Sequence, residues 1–519
     1  MVTCQEHLFP DARRLIEKGK LGMVTKKPNN PRGEPGKYQQ ILAAVTINIT
    51  AFAYGLIVGW PSPMTPQLQS DNPPVGTEPM TDEAASWLGG ILCIGGLVGT
   101  PIFAAIVEKF GRKTAGCLMA IPHEICWLLT VFAYDENWLF VARFFAGVAG
   151  AAAVLVVPLY VGEISSSNIR GMLGSLLVFF INIGILTSYS LGIFLSFNVF
   201  AICASVLPLI YLTIFVFMPE SPTYLVRCDR MSEAGRSLLW LRGGNKQIVD
   251  KELLFLTSIA KESLASKKKV GFMDLFENRG TIRGVMIAFG LLGGQQLCGI
   301  FAMVSYSAPI FKAAGSSLSP DIAAIIIAVI QVFSSYLSTV LMERAGRRLL
   351  ILISCAGMSV CLLALGAFSY LQSHGYEVSA FSWIPVAALS CYIIAYSLGM
   401  GPAPYVVASE IFNPDIAGLA NSMALLFLWI TAFIVLKFFA TLCALIGIHG
   451  CFLLFAGFCV LTFIFTWIFV PETKGRTIDS ILEELNNGRP VTCDQNQDKT
   501  GKNTFRIIDS DKFHCSARV

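Results

Sequence analysis

The sequence Glu108-Lys109-Phe110-Gly111-Arg112-Lys113 is short, basic and repeated: it returns in the second half of the chain as Glu343-Arg344-Ala345-Gly346-Arg347-Arg348. Each copy separates two apolar runs that are long enough to cross a bilayer as helices. Further pairs recur at nearly the same spacing, namely Pro158–Glu163 with Pro404–Glu410 and Pro219-Glu220-Ser221 with Pro471-Glu472-Thr473. The chain is therefore predicted to contain two halves in parallel, built on one plan.

The composition agrees with a chain that mostly avoids water. Of 519 residues, 54% are hydrophobic and only 14% are charged, against about 25% charged in an ordinary soluble protein. The mean hydropathy is +0.64. These values exclude a single soluble domain and a disordered protein. The net charge of +4 gives no reason to expect a nucleic-acid partner.

The apolar runs are continuous rather than alternating, which predicts membrane helices and not barrel strands. The predicted fold class is an all-α membrane protein of twelve transmembrane helices in two six-helix halves. The predicted spans are Ile41–Trp60, Ala85–Val107, Ala115–Ala133, Trp138–Val161, Met172–Leu195, Val199–Met218, Gly284–Ile310, Ile322–Met342, Leu349–Leu371, Ala380–Ser409, Gly418–Ala440 and Ala444–Val470.

The positions of the basic residues predict the orientation. All 38 Lys and Arg residues except Arg143, Lys312 and Lys437 fall in the two tails or in loops that share one side of the membrane. Since basic loops stay in the cytoplasm, both termini are predicted to be cytoplasmic. Arg143 and Lys437 are placed near outer span ends, where they can snorkel. The predicted divisions are a tail (1–40), a half (41–218), a partly helical linker (219–283), a half (284–470) and a tail (471–519).

Several other features are expected to be absent. The 15 cysteines do not form a disulfide framework, and no Cys-x-x-Cys spacing indicates a metal. Residues 1–40 are polar and basic, unlike a signal peptide. The sequon at Asn48 lies within the first span, where a glycan cannot be attached. No nucleophile–base arrangement indicates an enzyme, and no cofactor is expected.

Two helical halves around a central interface are the layout of a secondary transporter, with the substrate held between the halves. The basic loops and the carboxylates at the inner span ends can form ion pairs that close the inner side. The alternative is that the basic residues only anchor the topology. The candidate gate residues are Glu108, Arg112, Glu163, Arg170, Glu343, Arg347 and Glu410.

Ionisable residues within a span are candidates for function because their burial is costly. His123 and Glu124 lie midway along the third span and are candidates for a proton relay. The alternative is a pair that packs against neighbouring helices with its hydrogen bonds satisfied.

The motifs together resemble the sugar porter family of the major facilitator superfamily. They run in family order and include Arg143 with Gly147, Arg170-Gly171, Gln295–Gly299, Gly401–Pro404 and Pro471–Arg476, besides the repeats above. The segment Ala53–Pro63 resembles the insect trehalose-transporter branch. The resemblance implies the major facilitator fold, alternating access and facilitated diffusion of a sugar, a hexose or a disaccharide such as trehalose. It implies a multi-pass protein of the cell membrane, whose partners are sugar and the lipid bilayer, with no obligatory protein partner.

The resemblance also implies a sugar site formed by Gln295, Gln296, Phe301, Gln331, Tyr405 and Trp429. Amides match sugar hydroxyls, and the indole offers an apolar face. This chain departs from the family pattern at Val178, Phe301, Ser397, Tyr405 and Leu428. Two lost hydrogen bonds cost on the order of 1–3 kcal/mol. We therefore expect weak glucose binding, and as substrate either a larger, differently posed sugar or a less polar solute.

Two further departures concern gating and coupling. Glu163 is followed seven residues later by Arg170, but Glu410 is followed at that spacing by Ala417 where the family has Arg. The sequence thus predicts a lost inner ion pair in the second half. The position of a helix 1 Asp in proton-coupled relatives is Gly55 here, which favours facilitated diffusion. Proton symport through His123 or Glu124, and a non-transporting sugar sensor or receptor, are the alternatives.

Overall fold

The computed structural model describes residues 36–166, 168–265, 272–276, 278–305, 310, 319–377, 381–412, 414–474, 476 and 478–487. Within this part of the chain, eleven helical segments are long and apolar enough to cross a membrane. They are α1 (Lys37–Leu68), α2 (Asp82–Phe110), α3 (Arg112–Val131), α4 (Glu136–Ile164), α5 (Arg170–Phe194), α6 (Phe197–Phe215), α7 (Arg279–Ser305), α8 (Pro320–Ala345), α9 (Arg347–Ser373), α10 (Ile384–Glu410) and Ile416–Phe469.

The last segment contains two spans. Fifty-six continuous helical residues, Pro414–Phe469, would extend far beyond the ~30 Å apolar layer of a bilayer. Gly447 interrupts the helix with φ 71° and ψ 164°. We therefore divide it into α11 (414–446) and α12 (448–469), so that the predicted all-helical fold with twelve spans is confirmed.

Several spans are longer or more broken than their apolar runs indicated. The first helix begins at Lys37, continues to Gly59 and is extended by Pro61–Leu68. α7 breaks at Gly299, which has φ 88° and joins Arg279–Leu297 to Ile300–Ser305. α10 contains the π-helical turn Tyr396–Met400. An apolar run marks the part of a helix that meets lipid and not its polar ends, which explains the shorter predictions.

The predicted linker contains the helices Pro222–Arg227, Met231–Leu241 and Lys246–Ala265, and a 3-10 turn at Phe272–Phe276. A helix at Ile478–Asn487 follows α12. Its Asn486 side chain accepts a hydrogen bond of 2.7 Å from the backbone N–H of Gly280, which attaches it to the start of α7. The tails at 1–35 and 488–519 lie outside the described residues.

The two halves meet along α2 with α11 and along α5 with α8. We call the side that carries the Gly111 and Gly346 loops the inner side, and the opposite side the outer side. Within the first half, α1 packs so tightly on α5 that a Cβ at Gly55 would lie 2.1 Å from the carbonyl oxygen of Ile181. Small residues allow such close helix packing in membranes.

Candidate functional site

On the inner side of the first half, Arg112 and Glu163 form an ion pair. The guanidinium Nη2 lies 2.8 Å from Glu163 Oε1, and the two side chains are 3% and 18% exposed. Arg112 sits at the start of α3 because Gly111 ends α2 immediately before it. The Ser221 hydroxyl also donates a hydrogen bond to the Glu163 carboxylate, at its other oxygen. The pair is therefore almost enclosed and supported by the first residues of the linker.

The second half repeats this ion pair with Arg347 and Glu410. Their Nη2–Oε1 distance is 2.9 Å, and the side chains are 17% and 29% exposed. Thr473 occupies the position that corresponds to Ser221, but its hydroxyl has no hydrogen-bond partner among the described residues, and neither has Oε2 of Glu410. The second ion pair is therefore more open to water and less supported than the first.

Two carboxylates that the sequence interpretation missed complete these clusters. Glu220 Oε1 accepts hydrogen bonds of 3.0 Å from the backbone N–H groups of Arg112 and Lys113. Glu472 accepts bonds of 3.0 and 3.2 Å from those of Arg347 and Arg348. A carboxylate at a helix N-terminus is stabilised by the exposed N–H groups and the helix dipole.

Burial raises the pKa of the Glu220 carboxyl, although hydrogen bonds from the backbone of Ser221, Lys113 and Arg112 and the Arg112 charge act in the opposite direction. The repeated Pro-Glu-Ser and Pro-Glu-Thr sequences contained the signal for this pair of carboxylates. Their partners are backbone groups, which no residue pattern reveals.

Other candidate gate residues lie elsewhere. Glu108 pairs with Arg227 of the linker at 3.1 Å on an exposed surface. Arg170 is exposed and donates to the carbonyl oxygen of Ser165 at 3.3 Å, whereas Glu163 binds Arg112. The side chain of Glu343 lies outside the described part of the structure.

The prediction that Ala417 removes an inner ion pair from the second half is wrong for this structure. Glu410 retains an arginine partner, because Arg347 of the repeated loop reaches it. In the first half, the residue equivalent to Ala417 is Arg170, which binds a backbone carbonyl and not the carboxylate. The sequence spacing suggested the wrong pair.

Gln295 and Gln296 lie side by side near the end of the first segment of α7, Arg279–Leu297, and are both buried. The Gln295 amide donates to the carbonyl oxygens of Met400 and Gly401 at 2.8 and 2.7 Å, where α10 is unwound from regular α-helix. The Gln296 amide donates to Gln295 Oε1 at 3.3 Å. Oε1 of Gln296 is a buried acceptor with no hydrogen-bond partner among the described residues, and an acceptor of this kind suits a ligand hydroxyl.

Gln331 of α8 meets Asn182 of α5, a residue of the other half. The Gln331 amide donates to Asn182 Oδ1 at 3.0 Å, and both side chains are buried. Asn182 lies one turn beyond Val178, the position to which the family comparison assigned a missing amide. The sequence interpretation missed Asn182 because the family resemblance places the α5 amide at position 178, one turn earlier on the same helix.

The three aromatic candidates belong to the main hydrophobic core or pack against it. Trp429 of α11 is buried and lies so close to α2 that a Cβ at Gly96 would be 2.4 Å from its ring. Tyr405 and Phe301 are partly buried and pack against the main hydrophobic core. The hydroxyl of Ser397, the residue in the place of the family's carboxylate, is buried without a hydrogen-bond partner in the described part of the chain.

A groove of about 520 Å³ opens on the outer side. Its lining includes Gln67 at the end of α1, Gly192 near the end of α5 and Asp321 at the start of α8. Because α8 belongs to the second half, the groove lies at the outer margin of the seam between the halves.

The ionisable residues within the spans differ in their surroundings. His123 is buried, and its Nδ1 lies 2.8 Å from the carbonyl oxygen of Met119, one turn away on the same helix. The neighbouring Glu124 is partly exposed. Arg143 does not snorkel, contrary to the sequence interpretation: it is buried and donates to the carbonyl oxygens of Leu88 and Ile57 at 3.0 and 2.9 Å.

The chain is similar to known transporters over most of its length. A family model described as "Sugar (and other) transporter" matches residues 43–485. The facilitated trehalose transporter Tret1 of Polypedilum vanderplanki is 35% identical over 92% of this chain and 94% of its own length. The protein of that name from Bombyx mori is 36% identical over 87% and 88% of the two chains. The one from Anopheles gambiae is 33% identical, and the match spans 61% of its length.

Solved structures share the fold. The proton:xylose symporter XylE, bound to 6-bromo-6-deoxy-D-glucose, aligns with a TM-score of 0.70 at 21% identity, covering 86% of this chain and 99% of its own. An inward open form of XylE from E. coli aligns with a TM-score of 0.69 at 21% identity, covering 86% and 99%. With membrane-spanning helices in two repeated halves and a family match from residue 43 to residue 485, the chain is a multi-pass membrane protein that belongs to the family described as "Sugar (and other) transporter".

Proposed function

We propose that the protein carries a sugar across the cell membrane by facilitated diffusion, with both termini in the cytoplasm. The observation that carries this proposal is the buried amide contact between Gln331 and Asn182, which belong to opposite halves. Amides donate and accept hydrogen bonds as sugar hydroxyls do. A transporter with alternating access binds its substrate at the interface between its two halves, and this polar contact lies at that interface.

A substrate would replace this contact when it enters the seam. Hydroxyl groups can bind the amides of Asn182 and Gln331, and the unpaired acceptors Gln296 Oε1 and Ser397 Oγ add further positions. Trp429, Tyr405 and Phe301 supply apolar surface to the same core. We propose these residues as the sugar-contacting set, and a disaccharide such as trehalose as the substrate, since the similar insect proteins carry that name.

The inner clusters support transport in another way. Arg112 with Glu163, and Arg347 with Glu410, each join helices of one half. Rocking of the two halves as rigid bodies therefore leaves both pairs intact. In our proposal they brace the inner end of each half and stay formed while the halves rock, so that opening of the inner side does not require either pair to break.

Facilitated diffusion is preferred to proton symport for a structural reason. A carboxylate at position 55 has no space, because α1 and α5 are in contact at Gly55. His123 is bonded to the backbone of its own helix, and this bond does not connect it to Glu124. A sensor that does not transport has the same fold, and uptake measurements distinguish it.

The experiment is counterflow of labelled trehalose, glucose and polyols into proteoliposomes that contain the full chain. We expect saturable counterflow of trehalose, and uptake that an inward-directed (outside acidic) proton gradient does not accelerate. A Gln331→Leu variant, which removes the amide at the seam, is expected to lower the kcat/KM of uptake at least about fivefold. If none of the tested sugars shows saturable counterflow, the proposal is contradicted and the sensor is favoured. Uptake that follows an imposed proton gradient would favour symport.

A further inference from the structure

Lys437 is a cationic residue within α11 that contacts the opposite half. Its Nζ donates to Ser86 Oγ of α2 at 2.9 Å and lies 4.2 Å from the centroid of the Trp87 ring. The side chain is partly buried. Within the described part of the chain it forms no salt bridge, so that a hydroxyl and an indole face are the groups that compensate its charge.

The surroundings of Lys437 allow a close approach of the two halves. Trp429, Phe433 and Lys437 follow one another at four-residue spacing along one face of α11. A Cβ at Gly90 would lie 3.2 Å from the Phe433 ring, as one at Gly96 would collide with Trp429. The Phe433 and Trp87 rings lie 6.3 Å apart. This face therefore fits α2 closely when the outer ends of the two helices are together.

From these contacts we infer that Lys437, Ser86 and Trp87 form a latch that holds the outer side of the transporter closed. The inference rests on the proposed transport function and concerns the regulation of that same substrate pathway. Opening of the outer side separates α2 from α11 and removes both partners of the ammonium group at once. Two further hydrogen bonds between the halves, from Tyr189 to Val304 and from Gln331 to Asn182, are neutral.

The latch acts on the conformational equilibrium because its contacts exist in one state. An interaction made in only one of two states shifts their populations by its full free energy. The charged bond and the cation–π contact are stronger when they are shielded from water. Without them, we expect the ratio of outward-open to outward-closed protein to rise about tenfold, which corresponds to about 1.4 kcal/mol.

The test compares Lys437→Met with Lys437→Arg in the full chain, reconstituted in nanodiscs. Methionine keeps the length and loses the charge, whereas arginine keeps a cation that can lie over Trp87. Hydrogen exchange followed by mass spectrometry needs no substrate. We expect about tenfold faster exchange in Lys437→Met for peptides at residues 82–90 and 433–440, unchanged exchange at the inner ends of α3 and α4, and near wild-type exchange in Lys437→Arg. An increase in exchange throughout the molecule, or no increase at the outer ends of α2 and α11, would overturn the latch.

Sided transport gives a second readout that a purely structural defect does not move. In Lys437→Met, the half-saturation concentration for sugar entry is expected to fall while that for exit rises, since the outward-open population binds outside sugar. If Lys437→Met does not fold, Trp87→Leu removes the ring and leaves the lysine, and the same exchange pattern is expected. Altered exchange without uptake of any sugar would uphold the latch and reject the proposed function.

Discussion

Glu220 and Glu472 hold equivalent positions in the two halves of the molecule. Each carboxylate accepts hydrogen bonds from two consecutive backbone N–H groups at the start of a membrane helix, α3 or α9. The helix in each half begins after a glycine with positive φ, Gly111 or Gly346. A Cβ on either glycine would lie within 2.4 or 2.7 Å of the carboxylate. The glycine is therefore required both by its backbone conformation and by the anchor beside it.

Substitution of Gly111 by alanine is expected to destabilise the protein. The backbone has φ 92° and ψ 173°, a region that only glycine adopts readily, and the added Cβ would displace Glu220. Strain of this kind costs about 1–3 kcal/mol. Thermal denaturation in detergent, followed by size-exclusion chromatography, should show a lower midpoint for Gly111→Ala.

Gly162→Ala is the matched control for this change. Gly162 lies in α4, and nothing comes within 4 Å of a Cβ built there. Alanine favours a helix by up to about 1 kcal/mol over glycine, so the control is expected to be neutral or more stable. Equal losses for both variants would mean that the contact with Glu220 has no energetic role.

The two inner ion pairs should differ in their contribution to stability. Arg112→Gln leaves the Glu163 carboxylate buried without its cation, which costs about 3–5 kcal/mol for an enclosed pair. Arg347→Gln should cost less, about 1–2 kcal/mol, because Arg347 and Glu410 are more exposed. Denaturation midpoints of the two variants, measured side by side, test this order.

An exposed ion pair supplies the control for these arginines. Arg227→Gln removes the contact with Glu108, where both side chains are more than half exposed. Exposed pairs contribute about 0–1 kcal/mol. A loss for Arg227→Gln as large as that for Arg112→Gln would show that general charge removal, and not burial, determines the effect.

The fold could be predicted from the sequence because the patterns that specify it are local. Apolar runs and repeated basic loops at Gly111 and Gly346 specify spans and halves without knowledge of the packing. The partners of the charged residues were not accessible in the same way. Glu220 binds backbone N–H groups, and Arg143 binds carbonyl oxygens between helices, so neither interaction leaves a pattern of paired residues. Asn182 and its partner Gln331 are 149 residues apart, so no local sequence pattern connects them.

Restoring the family's arginine at position 417 is expected to change little. In the first half the equivalent Arg170 is exposed and binds a backbone carbonyl, and Glu410 already has Arg347 as partner. Ala417→Arg should therefore alter stability by no more than about 0.5 kcal/mol and leave the rate of sugar uptake within about twofold, since that energy is less than a factor of three in an equilibrium constant. A large gain in uptake would indicate that Ala417 limits transport.

The proton-relay alternative makes its own prediction. If Glu124 carries a proton, Glu124→Gln should abolish acceleration of uptake by a proton gradient. We expect that wild type and Glu124→Gln have the same uptake at each pH between 5.5 and 7.5, a range that spans the usual pKa of histidine at about 6.5. A pH profile that is steep in the wild type and flat in the variant would establish symport.

The amide contact across the seam predicts coupled effects of two substitutions. Asn182→Leu and Gln331→Leu each leave the other buried amide without its partner, and an unsatisfied buried group costs about 1–3 kcal/mol. Each single variant should therefore lower the kcat/KM of uptake about 5- to 140-fold, because every 1.4 kcal/mol is a factor of ten. The double variant removes both polar groups, so its loss should be smaller than the product of the two single losses. Multiplicative losses would mean that each amide acts on the sugar independently, and unchanged uptake in all three variants would place the substrate elsewhere in the molecule.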